Sequence, residues 1–302
     1  MPILGELAQG PYRPIAVFCA PDKPVGRKQI LTPPPVKIIA QKYNIPVWQP
    51  ANSRELAQQL KTTGCHLIVC AAYRIILPRE VLEMPKYGCL NIHPSLLPKY
   101  RGTSPIQAAI LNGDDETGVT IFKMDKGIDT GPVIAYRKLP IANSKYTTPE
   151  LSTKLSKLGA ELLLETLPDW IAGKIISQPQ DESQASYTKI IKKQDGLINW
   201  VKSAAKIERQ IRAFTPWPGA YSQIANSKSP IAKTIKIIEA DILEKNADKN
   251  IGEIFLTDSN ELSIQAGEGA LIIKKLQEEG GKPMSAQDFL RGHKEIIGQI
   301  LK

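Results

Sequence analysis

Asn91 and His93 stand two residues apart at the end of an apolar run, in the stretch NIHPSLLPKYRG (residues 91–102). Residues two apart on an extended strand project from the same face of the sheet. An amide donor beside an imidazole suits a reaction in which negative charge develops on an oxygen, and histidine can also carry a proton near neutral pH. The spacing is equally compatible with a hydrogen-bonded pair in the core, so these two residues alone do not establish chemistry.

Asp129 lies in MDKGIDTG (residues 124–131), a glycine-punctuated loop that follows another apolar run. One interpretation is a turn aspartate that satisfies local hydrogen bonds. The other is a carboxylate that orients and charges His93 and handles protons through water. Together, Asn, His and Asp suit acyl transfer to an amine without a covalent intermediate, because no Ser or Cys stands in a G-x-S-x-G setting.

Alternating strand and helix patterns surround these residues. Apolar runs such as IAVFCAP and HLIVCAAY have strand length, and SRELAQQLKTTG and SPIQAAILNGD have helical periodicity, with Ser53 predicted as a helix cap. This alternation predicts an α/β fold with a doubly wound, mainly parallel, Rossmann-like sheet. Binding sites in such sheets lie beyond the carboxyl ends of strands, where Asn91 and His93 fall. Neither G-x-G-x-x-G nor a P-loop is present.

The sequence changes character after about residue 180. A polar stretch leads to a helix over 203–214 and then to short, turn-separated β runs, which predict a small antiparallel β-barrel of OB-like type. We therefore predict a catalytic domain over 1–182, a basic linker over 183–203 and a barrel-like domain over 204–302.

Charge is concentrated near that boundary. The chain of 302 residues carries a net charge of +9, and residues 189–212 contain seven basic and two acidic side chains. This strip is either a solvated linker or a surface that meets a polyanion. No apolar run is long enough to span a membrane and no secretory signal is evident, which favours the cytoplasm. The four cysteines and three histidines make no zinc set, so no metal is expected.

A resemblance joins these features. The stretch from Asn91 to Gly131 resembles the signature region of the folate-dependent formyltransferases, which share Asn-x-His, the Ser-Leu-Leu-Pro loop and the distant Asp. Within that superfamily, PDKPVGRKQILTPPPVK (21–37) is similar to a loop of the methionyl-tRNA formyltransferases, although Lys28 and Ile30 depart from the usual Gly-Arg-Gly-x-Lys pattern. IRAFTPWPGAY and GGKPMSAQDFLRGH look like that family's C-terminal domain.

The resemblance implies a function and a site. The formyl group of 10-formyltetrahydrofolate would pass to the α-amino group of methionyl initiator tRNA, for translation initiation. Asn91 and His93 would stabilise the oxyanion, and Asp129 would keep His93 charged. The implied donor-binding residues are Ser95, Leu96, Leu97 and Pro98, and the implied tRNA-binding residues are Arg27, Lys192, Lys193, Arg209 and Arg212. The enzyme is expected to act as a monomer.

Two alternatives use the same residues differently. The acceptor could be an amino-sugar nucleotide, or the protein could bind tRNA without catalysis. The resemblance also implies a strand and a Gly-Thr-Pro turn ahead of the first helix. Because MPILGELAQG resembles that helix, we expect the start at Met1 to lie inside the family's usual chain and the parallel sheet to lack an inner strand.

Overall fold

The computed structural model describes residues 2–26, 29–224, 233–245 and 247–302. The helices are α1 Pro2–Gln9, α2 Pro35–Lys42, α3 Ser53–Lys61, α4 Arg79–Leu82, α5 Pro105–Asn112, α6 Thr148–Ile171, α7 Ala204–Phe214 and α8 Ala286–Gly292. The strands are β1 Val17–Phe18, β2 Lys23–Val25, β3 Ile30–Thr32, β4 Val47–Trp48, β5 Ile68–Cys70, β6 Cys89–His93, β7 Arg101–Gly102, β8 Glu116–Lys123, β9 Val133–Pro140, β10 Tyr187–Thr188, β11 Ala220–Ile224, β12 Lys233–Leu243, β13 Ile254–Leu256, β14 Leu262–Gln265, β15 Ala270–Glu278 and β16 Met284–Ser285. None of these described helices is long and apolar enough to cross a membrane.

The chain forms two compact units. The first contains the residues up to Pro105 together with Glu116–Pro140 and Ser152–Thr188. The second contains Ile106–Asp115, Ile141–Leu151 and Lys189–Lys302. The predicted division at residues 182 and 204 does not anticipate the two inserted segments of the second unit, and those boundaries stay a prediction.

The first unit has the predicted α/β architecture, with two differences in its sheet. Strands β1 and β4 pair in parallel in a sheet of their own, and a second sheet has the order β5-β6-β8-β9. In that second sheet only β5 and β6 are parallel, whereas β8 is antiparallel to both of its neighbours. The β8–β9 connection contains no helix, and a parallel pairing would require a long crossover between them.

Helix α6 fixes the position of β6 by direct packing. A Cβ atom at Gly159 would lie 2.9 Å from Ile92 Cγ2 and 3.3 Å from Val119 Cγ1, so only glycine allows the helix this close to the sheet. Ile92 faces α6, and Asn91 and His93 therefore project from the other face of β6. The sequence pattern had placed both residues on one face, as the structure does.

The second unit contains the predicted antiparallel sheet. Its strands follow the order β11-β12-β15-β14-β13, with β16 on β15. The last residues of the chain reach both edges, because Leu301 pairs with Ile224 beside β11 and Ile300 pairs with Glu253 beside β13. The sheet curls so that its two edge strands share one partner segment. Helix α7 adds Ile207 and Ile211 to the apolar core inside this sheet.

The N-terminus of α3 differs from the sequence prediction by one residue. Asn52 is the cap, and its side-chain oxygen accepts a hydrogen bond of 3.0 Å from the backbone N–H of Glu55. Ser53 is the first residue inside the helix. Both residue types favour the cap position, so the sequence alone did not separate them.

We predict that Asn52→Ala lowers the free energy of unfolding by about 1 kcal/mol, because a backbone N–H at the helix start loses its acceptor. Ser53→Ala is the matched control and should change stability by less than about 0.5 kcal/mol. Urea denaturation of both variants measures this. A larger loss in Ser53→Ala would place the cap at Ser53.

Candidate active site

Strand β6 brings the first two candidate residues to the centre of the second sheet. Asn91 lies opposite Cys70 on β5 and Phe122 on β8, and His93 lies opposite Thr120. The Asn91 side chain is half-buried, whereas His93 is 4 % exposed. A half-buried amide is available to a bound molecule, and a buried imidazole depends on the protein groups around it.

His93 has a defined orientation because its two ring nitrogens face different groups. Nε2 lies 2.9 Å from the backbone oxygen of Tyr100, and a carbonyl only accepts hydrogen bonds, so Nε2 carries a proton. Nδ1 lies 3.5 Å from Oδ2 of Asp129. In the neutral imidazole Nδ1 is therefore the unprotonated nitrogen. A proton gained there would lie between the ring and the carboxylate.

The protonation of His93 is governed by its burial. Burial lowers the pKa of His93 below its ordinary value, and the Asp129 carboxylate and the Tyr100 carbonyl oppose this effect without overcoming it. Burial therefore favours the neutral imidazole, whereas the carboxylate 3.5 Å from Nδ1 favours the charged one. The expectation that Asp129 keeps His93 charged stays a prediction.

Asp129 has an unusual backbone conformation and is held by two hydrogen bonds, with a third to nearby Gly131. Its φ is 54°, in the left-handed region. The backbone N–H of Gly102 donates to Oδ2 at 2.7 Å. The side-chain amide of Gln180 donates to the backbone oxygens of Asp129 and Gly131, both at 2.8 Å. The sequence-predicted triad is thereby brought together, since Asp129 reaches His93 from the loop between β8 and β9.

The Ser95–Pro98 loop is fixed by internal hydrogen bonds. Ser95 is fully buried, and its hydroxyl donates to the backbone oxygen of Lys99 at 2.6 Å. The Thr120 hydroxyl donates to the Ser95 carbonyl and accepts from the Leu97 N–H. The side chain of Ser95 therefore shapes the loop from within, whereas Leu96, Leu97 and Pro98 are half-buried and can contact a ligand.

A buried polar group marks the segment that follows β5. The Tyr73 hydroxyl has no hydrogen-bond partner among the described residues, and burial raises its pKa to about 12. Ala72 adopts φ 51°. Because Cys70 pairs with Asn91, this segment begins beside the amide of Asn91. An unpartnered buried hydroxyl and a strained turn are typical of a segment that contacts a polar ligand.

The predicted tRNA-binding residues have contrasting environments. Lys192 and Lys193 are exposed at the start of a short 3₁₀ turn. Arg212, in contrast, is a partner of the buried Glu208, with nitrogen–oxygen distances of 2.6 and 2.9 Å, and also donates to the Tyr146 carbonyl. Arg209 donates to the backbone oxygen of Leu111. The exposed lysines of the basic strip over residues 189–212 can contact a polyanion, whereas the guanidinium of Arg212 is already paired with Glu208.

The remaining sequence predictions concern Arg27 and a metal site, and two residues of the site were not predicted. Arg27 lies outside the described residues. Within the described residues, no cluster of His, Cys, Asp and Glu is arranged to hold a metal ion. Sequence reasoning missed Tyr100 and Gln180. Tyr100 acts through its backbone oxygen, which every residue type carries, and Gln180 lies in an irregular polar stretch with no periodicity to indicate it.

We predict that Asp129→Asn lowers the pKa of His93 further, because the carboxylate is the larger of the two groups that raise it. The amide keeps the size of the carboxylate and still accepts from Gly102. Imidazole NMR titration measures the change, and His66→Gln and His293→Gln assign the signals, since the chain has three histidines. An unchanged or raised His93 pKa would contradict the contact between the two groups.

Comparison with known proteins gives the site its context. The formyl transferase family model matches residues 5–167, and the model of the formyl transferase C-terminal domain matches residues 190–294. A methionyl-tRNA formyltransferase of Listeria innocua is 44% identical over 295 residues, which is 97% of this chain and 92% of the relative. One of Citrifermentans bemidjiense is 40% identical over 302 residues, covering 99% and 92%.

The fold has solved counterparts. The N-formyltransferase of Helicobacter canadensis, solved with folinic acid and dTDP-3-aminofucose, is 22% identical and superimposes with a TM-score of 0.63 over 89% of this chain and 93% of its own. This likeness confirms the predicted fold class. Sequence identity above 40% over nearly the whole length settles the membership: this chain belongs to the formyl transferase family, among the methionyl-tRNA formyltransferases.

Proposed function

We propose that this protein transfers the formyl group of 10-formyltetrahydrofolate to the α-amino group of methionyl initiator tRNA. The observation that carries the proposal is the convergence of Asn91, His93 and Asp129, with His93 Nδ1 facing the Asp129 carboxylate at 3.5 Å. Strand β6 and the loop between β8 and β9 supply these three side chains. The segment after β5, which we propose contacts the donor, begins beside β6. The family membership supplies the substrate class.

Asn91 is proposed to donate to the formyl oxygen. When the amine attacks the formyl carbon, a carbon–nitrogen bond forms and negative charge moves onto that oxygen. A positioned amide donor stabilises the charge more in the transition state than in the bound substrate, which lowers the barrier by about 3 kcal/mol in comparable acyl transfers. Strand β6 holds the backbone of Asn91 between two neighbouring strands, which fixes the place from which its amide would donate.

The pair of His93 and Asp129 is proposed to accept the proton that the attacking amine loses. The neutral ring has its free lone pair on Nδ1, and a proton bound there is attracted by the carboxylate beside it. The imidazolium that forms adds positive charge near the developing oxyanion. Collapse then breaks the bond from the formyl carbon to the donor nitrogen, which takes a proton and leaves as tetrahydrofolate.

The choice of acceptor is supported by the relatives and by charge. The relatives with 40% and 44% identity are methionyl-tRNA formyltransferases. Lys192 and Lys193 are exposed in a strip that contains three more exposed lysines, Lys189, Lys202 and Lys206, as phosphate recognition requires. An amino-sugar nucleotide needs no such strip. The proposal includes action as a monomer in the cytoplasm.

Formyl transfer by the purified 302-residue chain tests the function directly. With 10-formyltetrahydrofolate as donor, kcat/KM for methionyl initiator tRNA should exceed that for a dTDP-amino sugar by at least about a thousandfold, since the site is proposed to recognise the tRNA's phosphates and methionyl ester together. Turnover of the sugar alone would replace the proposed acceptor. Salt-sensitive tRNA binding without turnover of either substrate would identify a binding protein.

We predict that Lys192→Gln combined with Lys193→Gln weakens tRNA binding and flattens its dependence on salt. Each lysine that neutralises a phosphate contributes about one to the slope of log affinity against log salt concentration, so the slope should fall by up to about two. Lys61→Gln with Lys86→Gln removes the same charge from exposed positions of the first unit and is the control. Equal slopes in both pairs would exclude Lys192 and Lys193 as phosphate contacts.

A further inference from the structure

We propose that Gln180, oriented by Arg101, is a positioning residue that holds Asp129 against His93. The inference rests on the proposed function of that pair, and no part of the Asn-His-Asp signature indicates it. Gln180 lies about fifty residues beyond Asp129 in the chain, in the segment that runs from α6 to β10.

The Gln180 amide satisfies both of its ends with groups of the site. Its nitrogen donates to the backbone oxygens of Asp129 and Gly131 at 2.8 Å each. Its oxygen accepts from Nε and Nη2 of Arg101 at 3.0 and 2.8 Å. If the Gln180 amide were reversed, its oxygen would face the two carbonyl oxygens and its NH2 group would face the Arg101 guanidinium. Neither contact could form a hydrogen bond, so only the observed orientation is stable.

Arg101 is built into the protein as a fixed support. Its side chain is 0 % exposed. Besides Gln180, the guanidinium donates to both carboxylate oxygens of Glu182, at 2.9 and 2.6 Å, and to the Tyr187 hydroxyl at 2.8 Å. These contacts use all five N–H groups of the guanidinium, and the Glu182 carboxylate raises the pKa of Arg101 further. A guanidinium with all its donors in use cannot rotate freely, and its two hydrogen bonds to Oε1 fix the orientation of the Gln180 amide.

The backbone on either side of Arg101 touches both members of the pair. The Tyr100 carbonyl accepts from His93 Nε2, and the Gly102 N–H donates to Asp129 Oδ2. Arg101 itself reaches the Asp129 backbone through Gln180. Three consecutive residues therefore set the distance between the imidazole and the carboxylate.

Asp129 needs this support because of its backbone. Asp129 has φ 54°, in the left-handed region, which is less stable for a non-glycine residue than the ordinary helical or extended conformations. The two hydrogen bonds from Gln180 hold the carbonyl of Asp129 itself and the carbonyl of Gly131, two residues further along the chain. Without them the turn relaxes, and the carboxylate moves away from Nδ1.

Two variants and matched controls test the proposal in the full-length enzyme. Gln180→Ala removes the amide, and Gln180→Glu keeps its size and its acceptors for Arg101 but cannot donate to the two carbonyls. We expect each to lower kcat for formyl transfer about ten- to a hundredfold, with KM for both substrates within about twofold, because misplacement of a reacting group affects the chemical step. Gln178→Ala and Gln178→Glu, whose exposed side chain donates only to the Ile176 carbonyl, should leave kcat unchanged.

A second readout does not depend on turnover. In Gln180→Ala the NMR-measured pKa of His93 should fall, because the Asp129 carboxylate that raises it has moved; in Gln178→Ala it should equal that of the wild type. Wild-type kcat in Gln180→Glu, or an unchanged His93 pKa in Gln180→Ala, would overturn the positioning role. If the wild type transfers no formyl group, the proposed function fails, and the His93 titration alone decides the positioning role.

Discussion

The contact between His93 and Asp129 places a titratable ring in a site that is 4 % exposed, where neither the charged imidazole nor an unpaired carboxylate is stable alone. The fold must therefore present the two groups together. Strand β6 supplies His93, the loop after β8 supplies Asp129, and the segment Tyr100–Gly102 contacts both. The close packing of α6 on β6 at Gly159 and the interior hydrogen bonds of Ser95 follow from the same requirement, because each fixes the backbone that carries these groups.

This arrangement explains how one site can serve a reaction that transfers both a formyl group and a proton. Burial lowers the pKa of His93 and the Asp129 carboxylate opposes that effect, so the pair is proposed to accept a proton and to stabilise the resulting charge. Asn91, two residues away on the same strand face, is half-buried and can meet the formyl oxygen. The division of labour is proposed to be charge stabilisation by the amide and proton acceptance by the coupled pair.

Much of this was predictable from the sequence, for physical reasons. Asn91 and His93 share a face because strands have a period of two, and Asp129 is indicated by its glycine-bracketed loop and by the resemblance to the formyltransferases. The antiparallel direction of β8 against β6 was not predictable from the apolar run, whereas the short, helix-free connection between β8 and β9 does indicate their antiparallel pairing. The cap at Asn52 rather than Ser53 was a choice between two suitable neighbours. Arg212 was predicted to bind tRNA, which stays a prediction; its ion pair with Glu208 one helical turn earlier is visible only in the structure, where Glu208 is buried and Arg212 half-buried. Tyr100 acts through its backbone carbonyl, and Gln180 acts through a contact with a residue about fifty positions away. Neither kind of contact leaves a pattern in the sequence.

The central claim, that His93 and Asp129 act as one proton-accepting unit, is tested most directly by a double-mutant cycle on the rate of formyl transfer in a single turnover. His93→Asn, Asp129→Asn and the double variant are compared with the wild type at saturating methionyl-tRNA and donor. If the two residues form one unit, the double variant is no slower than the slower single variant, because removal of either partner already disables the pair. Losses that multiply in the double variant would show that the two residues act independently and would contradict the account.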